Sequence, residues 1–485
     1  MQGSASVMKL VKLSPDSSRP DNGLLDRFED CLRQKGQTIF SPDVPVTAAR
    51  GPARIDVMGG IADYSGSLVF EGTLGQAAVV GFQKRRDRVL RVKSTLLEEH
   101  AAPCEVELSL DDLRSSDRPL SYAKARTLLT ADKDKAWAAY VLGAIPVLEK
   151  EAVLRLESGA NFLLWSDIPI GVGVASSAAV EVAAMFALVR GMAAELDGQR
   201  LAALAQVVEN RVAGAPCGIM DQVTSALGEA GKLLALRCQP CDVLGQHELP
   251  KEVRVFGISS RVRHSVGGDE YTTARVSAFM GLKVILTEMK KRGMRITKKN
   301  HYLCNMPPKA YRRLFRDALP ETIRGEEFLK TYGETTDAVT RVNPDKAYRV
   351  RLGTEHPIFE NYRVETFIEC IERAHAGDRT ALVEAGGLMY ASHLSYGWNC
   401  GLGCPETDLL VKLVREQGPE RGLYGAKITG GGCGGTVAIL ADTAAEDTVR
   451  AIAAEYEKRT GITPDLFDGT SPGAYAFGER VYRLE

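Results

Sequence analysis

The sequence predicts an α+β fold in two lobes, and three observations lead there. Apolar strand patterns and amphipathic helix patterns interleave without the regular strand-helix-strand beat of a doubly wound parallel sheet. The 485 residues correspond to two or three units at about 100 to 200 residues each. A composition of 45% hydrophobic and 25% charged residues is ordinary for a globular protein and allows a large core.

Residues 1 to about 44 read as an N-terminal extension. They are polar at first, are punctuated by Ser14-Pro15, Arg19-Pro20 and Asp21-Asn22-Gly23, and end in an amphipathic helix around 24–35. A β-rich region follows from 46 to about 93, with apolar runs such as 77–82 between glycine-containing turns. Further on, strands are expected at 161–165, 233–236 and 253–258, and helices at 176–190 and 201–212. A long helical pattern at 270–292 opens the second half, so the lobes are expected as 45–258 and 259–485. After a charged segment come helices near 364–375, 409–416 and 444–459, with strands at 424–428 and 436–440.

Charge and apolar content narrow the partners. Lys plus Arg (61) nearly cancels Asp plus Glu (62), which leaves no strong field for nucleic acid or an anionic membrane and favours a small-molecule partner. The apolar run 178–189 carries Glu181 and is shorter than the roughly 20 residues of a spanning helix, so a buried helix is expected. The N-terminus lacks the pattern of a signal peptide, which makes the cytoplasm the expected compartment. Ten dispersed cysteines then read as reduced thiols, and Cys238 and Cys241 form a C-x-x-C without the second pair that a zinc ribbon needs.

Four segments carry chemistry. In DIPIGVGVASSAA (167–179), Gly171 and Gly173 space a loop and Ser176 and Ser177 open an apolar helix, an arrangement that can aim backbone N–H groups and a helix N-terminus at phosphate oxygens. Read alone, it is equally a turn with a serine cap. In ENRVAGAPCGIMDQ (209–222), Glu209 lies near a helix end and Asp221 sits among apolar residues, where an unpaired carboxylate is costly and a cationic partner is expected. KITGGGCGG (427–435), with Gly430, Gly431 and Gly432, holds more glycines than a hairpin needs and suggests close backbone approach to a ligand or to the first loop. PARIDVMGGIADYSG (52–66) sets Arg54 and Asp63 as isolated charges in an apolar, glycine-rich run. No G-x-x-x-x-G-K-[ST] is present, which excludes a P-loop enzyme.

Taken together, these segments resemble the GHMP kinase family. The resemblance extends from about residue 46 to the C-terminus and is strongest to the galactokinase branch and its L-arabinokinase type, which shares the wording GGIADYSG. RHSVGG (263–268), HPIFENYRV (356–364), SHLS (392–395) and CPETD (404–408) support the same branch, and residues from about 295 to 355 resemble the insertion of the arabinokinase type.

The resemblance implies a two-lobed GHMP kinase fold with the active site in the cleft, ATP and Mg²⁺ as cofactors, and a small sugar as the other partner. It makes 167–179 the ATP phosphate loop, Ser177 and Glu209 the Mg²⁺ ligands, and Asp221 the catalytic carboxylate with Arg54 beside it. Asp63 and Tyr271 match sugar-hydroxyl contacts, and the glycines 430 to 435 close the phosphate site from the other lobe.

The chain departs from galactokinase wording at Gly60 and Ile61, where that branch carries Glu-His near the C6 hydroxymethyl of galactose, and at Asp56, where it carries Asn. L-Arabinopyranose lacks that hydroxymethyl. The expected reaction is therefore phosphorylation of the anomeric hydroxyl of L-arabinose. A galactokinase of relaxed specificity and a non-catalytic sugar sensor are the alternatives. Restoring Glu at 60 and His at 61 is expected to shift preference toward galactose.

Overall fold

The structure, a computed structural model, describes residues 9–13, 23–262 and 269–485. The turn signals within 14–22 and the segment 263–268 lie outside the described residues. The larger sheet runs in the order Leu10–Lys12, Arg480–Leu484, Val46–Met58, Leu68–Lys84, Ala160–Ser166, Val89–Ser94 and Glu105–Ser109, while Lys232–Arg237 and then Asp242–Glu248 continue from Leu68–Lys84. A second sheet runs Leu423–Ile428, Thr436–Asp442, Val253–Ser259 and Leu466–Phe467. Described pairings are antiparallel except Val89–Ser94 with Ala160–Ser166, which gives the α+β class its physical form.

Strand pairing crosses the lobe division expected at 258/259 in two places. Val253–Ser259 joins the second sheet through Thr436–Asp442, and Arg480–Leu484 returns from the chain end to the first sheet between Leu10–Lys12 and Val46–Met58. The amphipathic helix Leu24–Lys35 buries Leu24, Phe28 and Leu32 in a cluster with Phe40, Tyr482 and Leu484, so the N-terminal segment is bedded on that sheet.

Val46–Met58 is buried along its whole length. Helix Ser176–Gly191 is apolar on nearly every side and lies across this strand; Gly51 permits the approach, because a Cβ there would collide with the carbonyl of Ala179. The ladder between Val46–Met58 and Leu68–Lys84 slips between Pro52 and Arg54 and again between Asp56 and Met58. Bulges of this kind turn a side chain off the regular alternation, and here they flank Arg54.

The helical pattern at 201–212 divides in two. Gly198–Val207 is α-helical, and Val208–Ala213 widens into a π-turn that carries Glu209. Residues 295–355 fold into short helices, including Pro308–Leu314 and Gly325–Tyr332, and a small hairpin of Ile323–Arg324 with Ala347–Tyr348. Their Tyr311, Phe315 and Phe328 join one core with Tyr64, Tyr271 and Tyr396. The insertion is thus continuous with the packing behind the site.

Candidate active site

A cavity of about 460 Å³ is lined by Arg54, Gly60, Ile61, Asp63, Gly171, Gly173, Ser176, Ser177, Glu209, Asp221, Tyr271, Gly430 and Gly431. Residues singled out across the four segments therefore converge. Gly432 does not line it: a Cβ there would lie 2.6 Å from Cβ of Leu402, so its glycine serves packing of the loop against Leu402.

The phosphate-loop candidate turns through positive φ at Gly171 (75°), Gly173 (77°) and Ala175 (60°), and helix Ser176–Gly191 starts directly after it. The first helical N–H groups have no intrahelical partner, and the loop brings them to the cavity wall. The glycine cluster of the second lobe sits on this loop. A Cβ at Gly430 would stand 2.9 Å from the carbonyl of Gly173, and one at Gly173 would stand 3.2 Å from Cα of Gly435. Thr436 Oγ1 donates to the carbonyl of Val172 at 2.8 Å, which fixes the two backbones together.

Arg54 Nε and Nη2 both lie 2.8 Å from Oδ1 of Asp221, and Nη1 donates to the carbonyl of Gly173 at 2.9 Å. Beneath the guanidinium, Glu71 Oε2 is 3.1 Å from Nε and fully buried. Burial works against the cation, yet Asp221 and Glu71 raise its pKa further above an already basic value, so Arg54 stays charged. Burial pushes Glu71 well above the carboxylate range, opposed by Arg54. Asp221 retains 19% side-chain exposure into the cavity.

Glu209 is buried, and burial followed by the charge of Asp221 pushes it up to about 7, against the bond from Ser177. Gln222 Nε2 donates to Oε2 of Glu209 at 2.6 Å and to Glu181 at 3.1 Å, which orients the acid. Asp63 is raised to about 7, first by burial and then by Asp221, with Arg275 pulling the other way. Its carboxylate lies directly over Gly218, where any Cβ would displace it. Arg275 in turn is gripped by Asp337 of the insertion, with Nε and Nη2 at 2.8 and 3.0 Å from the two oxygens, and it stacks 5.4 Å over Tyr64.

The profile of the GHMP kinases N terminal domain matches residues 139–229, and that of the GHMP kinases C terminal domain matches 367–458. A galactokinase of Actinobacillus succinogenes is 30% identical over 443 residues, covering 90% of this chain and 94% of that protein. The chain belongs to the GHMP kinase family. L-Arabinokinase of Arabidopsis thaliana is 38% identical over 497 residues, 92% of this chain, and the chain spans about half (48%) of that protein. Among solved structures, Lactococcus lactis galactokinase complexed with galactose superposes with a TM-score of 0.69 at 20% identity, covering 93% of this chain and 98% of that one. Methanococcus jannaschii mevalonate kinase gives 0.51 at 14% identity, covering 90% and 98%. These two likenesses concern the fold.

In this GHMP kinase the Ser177 hydroxyl and Glu209 carboxylate form an oxygen donor pair on the cavity wall beside the phosphate-loop candidate, a set that fits a hard divalent cation completed by phosphate oxygens. Among the described residues no helix is long and apolar enough to cross a membrane.

The structure adds residues that the motifs did not name. Trp137 and Tyr140, outside the four segments, line the cavity along with Ile168 and Ile170 of the first segment. Glu71 is an acid inside an apolar strand pattern, a signal open to a reader of the sequence. Tyr396, 335 residues from the Ile61 backbone it contacts, carried none. Position 60 also bears on one expectation. A Cβ on Gly60 would lie 1.8 Å from the Tyr396 hydroxyl and 2.3 Å from Asp56 Oδ2, so Glu at 60 with His at 61 requires those side chains to shift.

Proposed function

We propose that the chain transfers the γ-phosphoryl group of ATP to the anomeric hydroxyl of a pyranose, with L-arabinose the preferred acceptor. The observation that carries this is Asp221, paired with Arg54 and lining one cavity with the glycine loop, the start of helix Ser176–Gly191, Asp63 and Tyr271. The names of the two relatives, L-arabinokinase and galactokinase, support the same reaction class.

Phosphoryl transfer asks a protein mainly for position and charge neutralisation. In this reading the loop around Gly171 and Gly173 and the N–H groups at Ser176 and Ser177 cradle the phosphates, with Gly430 and Gly431 closing over them. Apolar lining residues such as Trp137, Tyr140 and Ile170 suit a nucleobase ring. Ser177 and Glu209 would hold Mg²⁺, which when bound neutralises phosphate charge. Asp63 and Tyr271 accept and donate hydrogen bonds to sugar hydroxyls. Asp221 accepts the proton of the anomeric hydroxyl as the oxygen attacks, and Arg54 holds that carboxylate in position.

Gly60 and Ile61 favour a sugar without a hydroxymethyl at the matching carbon, because they offer an apolar wall and no side-chain hydrogen bond. Galactose is the second reading, favoured by the 94% coverage of the galactokinase relative. A silent sensor is disfavoured, since Arg54, Ser177, Glu209 and Asp221 all line the cavity. Incubation with ATP, Mg²⁺ and a panel of aldopyranoses, with ³¹P NMR of the product, tests the proposal. A sugar 1-phosphate from L-arabinose is expected; ADP release independent of sugar would refute it.

A further inference from the structure

We infer that Tyr396 is a specificity-determining positioning residue, whose hydroxyl takes the place of a side chain at residue 60 and thereby fixes Ile61 as the apolar wall of the sugar recess. This deepens the sugar-kinase reading and rests on it.

Tyr396 opens a π-turn, Tyr396–Cys400, at the end of helix Thr380–Ser395, and its side chain is fully buried. Its hydroxyl accepts the N–H of Ile61 at 2.7 Å and donates to the carbonyl of Gly430 at 3.0 Å. One phenol thus ties the wall residue of the first lobe to the glycine loop of the second. Burial raises its pKa well above the ordinary phenol value, so it keeps the proton it donates.

The phenol stands within a buried polar unit. Asp56 Oδ2 receives Lys427 Nζ at 2.6 Å and the N–H of Gly430 at 3.3 Å, and it lies 3.5 Å from the Tyr396 hydroxyl. Oδ1 receives the N–H of Gly60 at 3.1 Å, and Thr429 Oγ1 takes the N–H of Asp56 at 2.7 Å. Lys427 lies 5.0 Å from the Tyr396 ring centroid, and the His356 ring meets it edge-on at 5.3 Å. Asp56, Lys427 and Tyr396 are all 0% exposed.

Such a closed network leaves no volume for a Cβ at Gly60, whose φ of 24° is also unfavourable for other residues. Gly60, Ile61 and Asp56 therefore belong to one structural unit with Tyr396 and Lys427. The sugar meets Ile61 because Tyr396 holds its backbone there. Selectivity at that wall depends on a residue outside the cavity lining.

A double-mutant cycle in the full chain tests this, using Gly60→Ala, Tyr396→Phe and the pair, with kcat and KM for L-arabinose, D-galactose and ATP. Tyr396→Phe keeps the ring and its packing. It is expected to change the arabinose-to-galactose ratio of kcat/KM by at least about 5-fold, through sugar KM, while ATP KM moves less than about 2-fold. Gly60→Ala alone is expected to lose on the order of 100-fold in sugar kcat/KM, and the pair to recover at least about 3-fold of that, because the nearer of the two colliding oxygens is gone while Asp56 Oδ2, 2.3 Å from the new Cβ, remains. Additive losses in the pair, or an unchanged sugar ratio in Tyr396→Phe, would overturn the inference. Circular dichroism of each variant identifies a Gly60→Ala chain that fails to fold, in which case the Tyr396→Phe ratio alone decides. A wild type that phosphorylates no sugar overturns both this inference and the function it rests on; an active wild type with additive variants overturns this inference alone.

Discussion

Arg54 and Asp221 meet through two guanidinium nitrogens, each 2.8 Å from a single carboxylate oxygen. Asp221 keeps 19% of its side chain exposed and lines the cavity together with Asp63 and Tyr271. A base acting on a bound hydroxyl needs this combination of an oriented carboxylate and access to the cavity.

Asp221→Asn keeps the shape but removes the proton acceptor. Turnover should fall about 10²- to 10⁴-fold, with the sugar dissociation constant nearly unchanged. Single-turnover kinetics beside calorimetric sugar binding check this, and retention of most activity would remove Asp221 from the chemistry.

Asp63 predicts a pH dependence with opposite signs for stability and for sugar binding. Its folded pKa of about 7 lies above the ordinary 3.8, so between those values the folded chain keeps a proton that the unfolded chain has lost. Its contribution to stability is therefore largest below about pH 4, declines as pH rises to about 7 and is flat beyond, a loss on the order of 4 kcal/mol. Asp63→Asn should raise the melting temperature relative to wild type at pH 8 and leave the two alike at pH 4. Sugar KM in the wild type should fall as pH rises through about 7, because the ionised carboxylate is the better acceptor. An unchanged melting difference across that range would contradict the assignment.

Glu209→Gln tests the cation site. The substitution keeps the size of the side chain and removes the one carboxylate of the Ser177–Glu209 donor pair, so half-maximal activity should need at least about 10-fold more Mg²⁺. Titration of activity against free Mg²⁺ measures this; identical curves for the variant and wild type would dismiss the site.

Asp337→Ala tests the contribution of the insertion. Arg275 would lose a buried bidentate partner, and the break should cost about 3 to 5 kcal/mol of stability. Arg275 also stands against Asp63, Tyr64 and the carbonyl of Cys217, so sugar KM should rise while ATP KM stays unchanged. Denaturant unfolding and steady-state kinetics on both substrates read the two effects separately. A rise in ATP KM alone would contradict the placement of this pair behind the sugar.

Much of the fold was legible because its elements are locally coded. The helix at 24–35 and the strand at 161–165 appear as Leu24–Lys35 and Ala160–Ser166, where apolar periodicity and burial agree. Asp221 was legible for a related reason, as a carboxylate in an apolar run must have a partner. The π-turn that carries Glu209 was not, because widening one turn leaves the hydrophobic repeat almost unchanged. Tyr396 and the Arg275–Asp337 pair were hidden by distance along the chain, since each acts on residues dozens to hundreds of positions away. The lobe division at 258/259 followed the linear order of elements, whereas Arg480–Leu484 pairs with strands more than 400 residues earlier.

The most direct test of the account compares kcat/KM for L-arabinose and D-galactose on the wild-type chain, with ATP and Mg²⁺. An apolar wall such as Ile61 rejects one additional hydroxyl by only about 10²-fold, so arabinose should be preferred by up to that factor with galactose turnover still measurable. A higher kcat/KM for galactose would contradict the substrate assignment, and no sugar-dependent turnover with either would contradict the kinase reading itself.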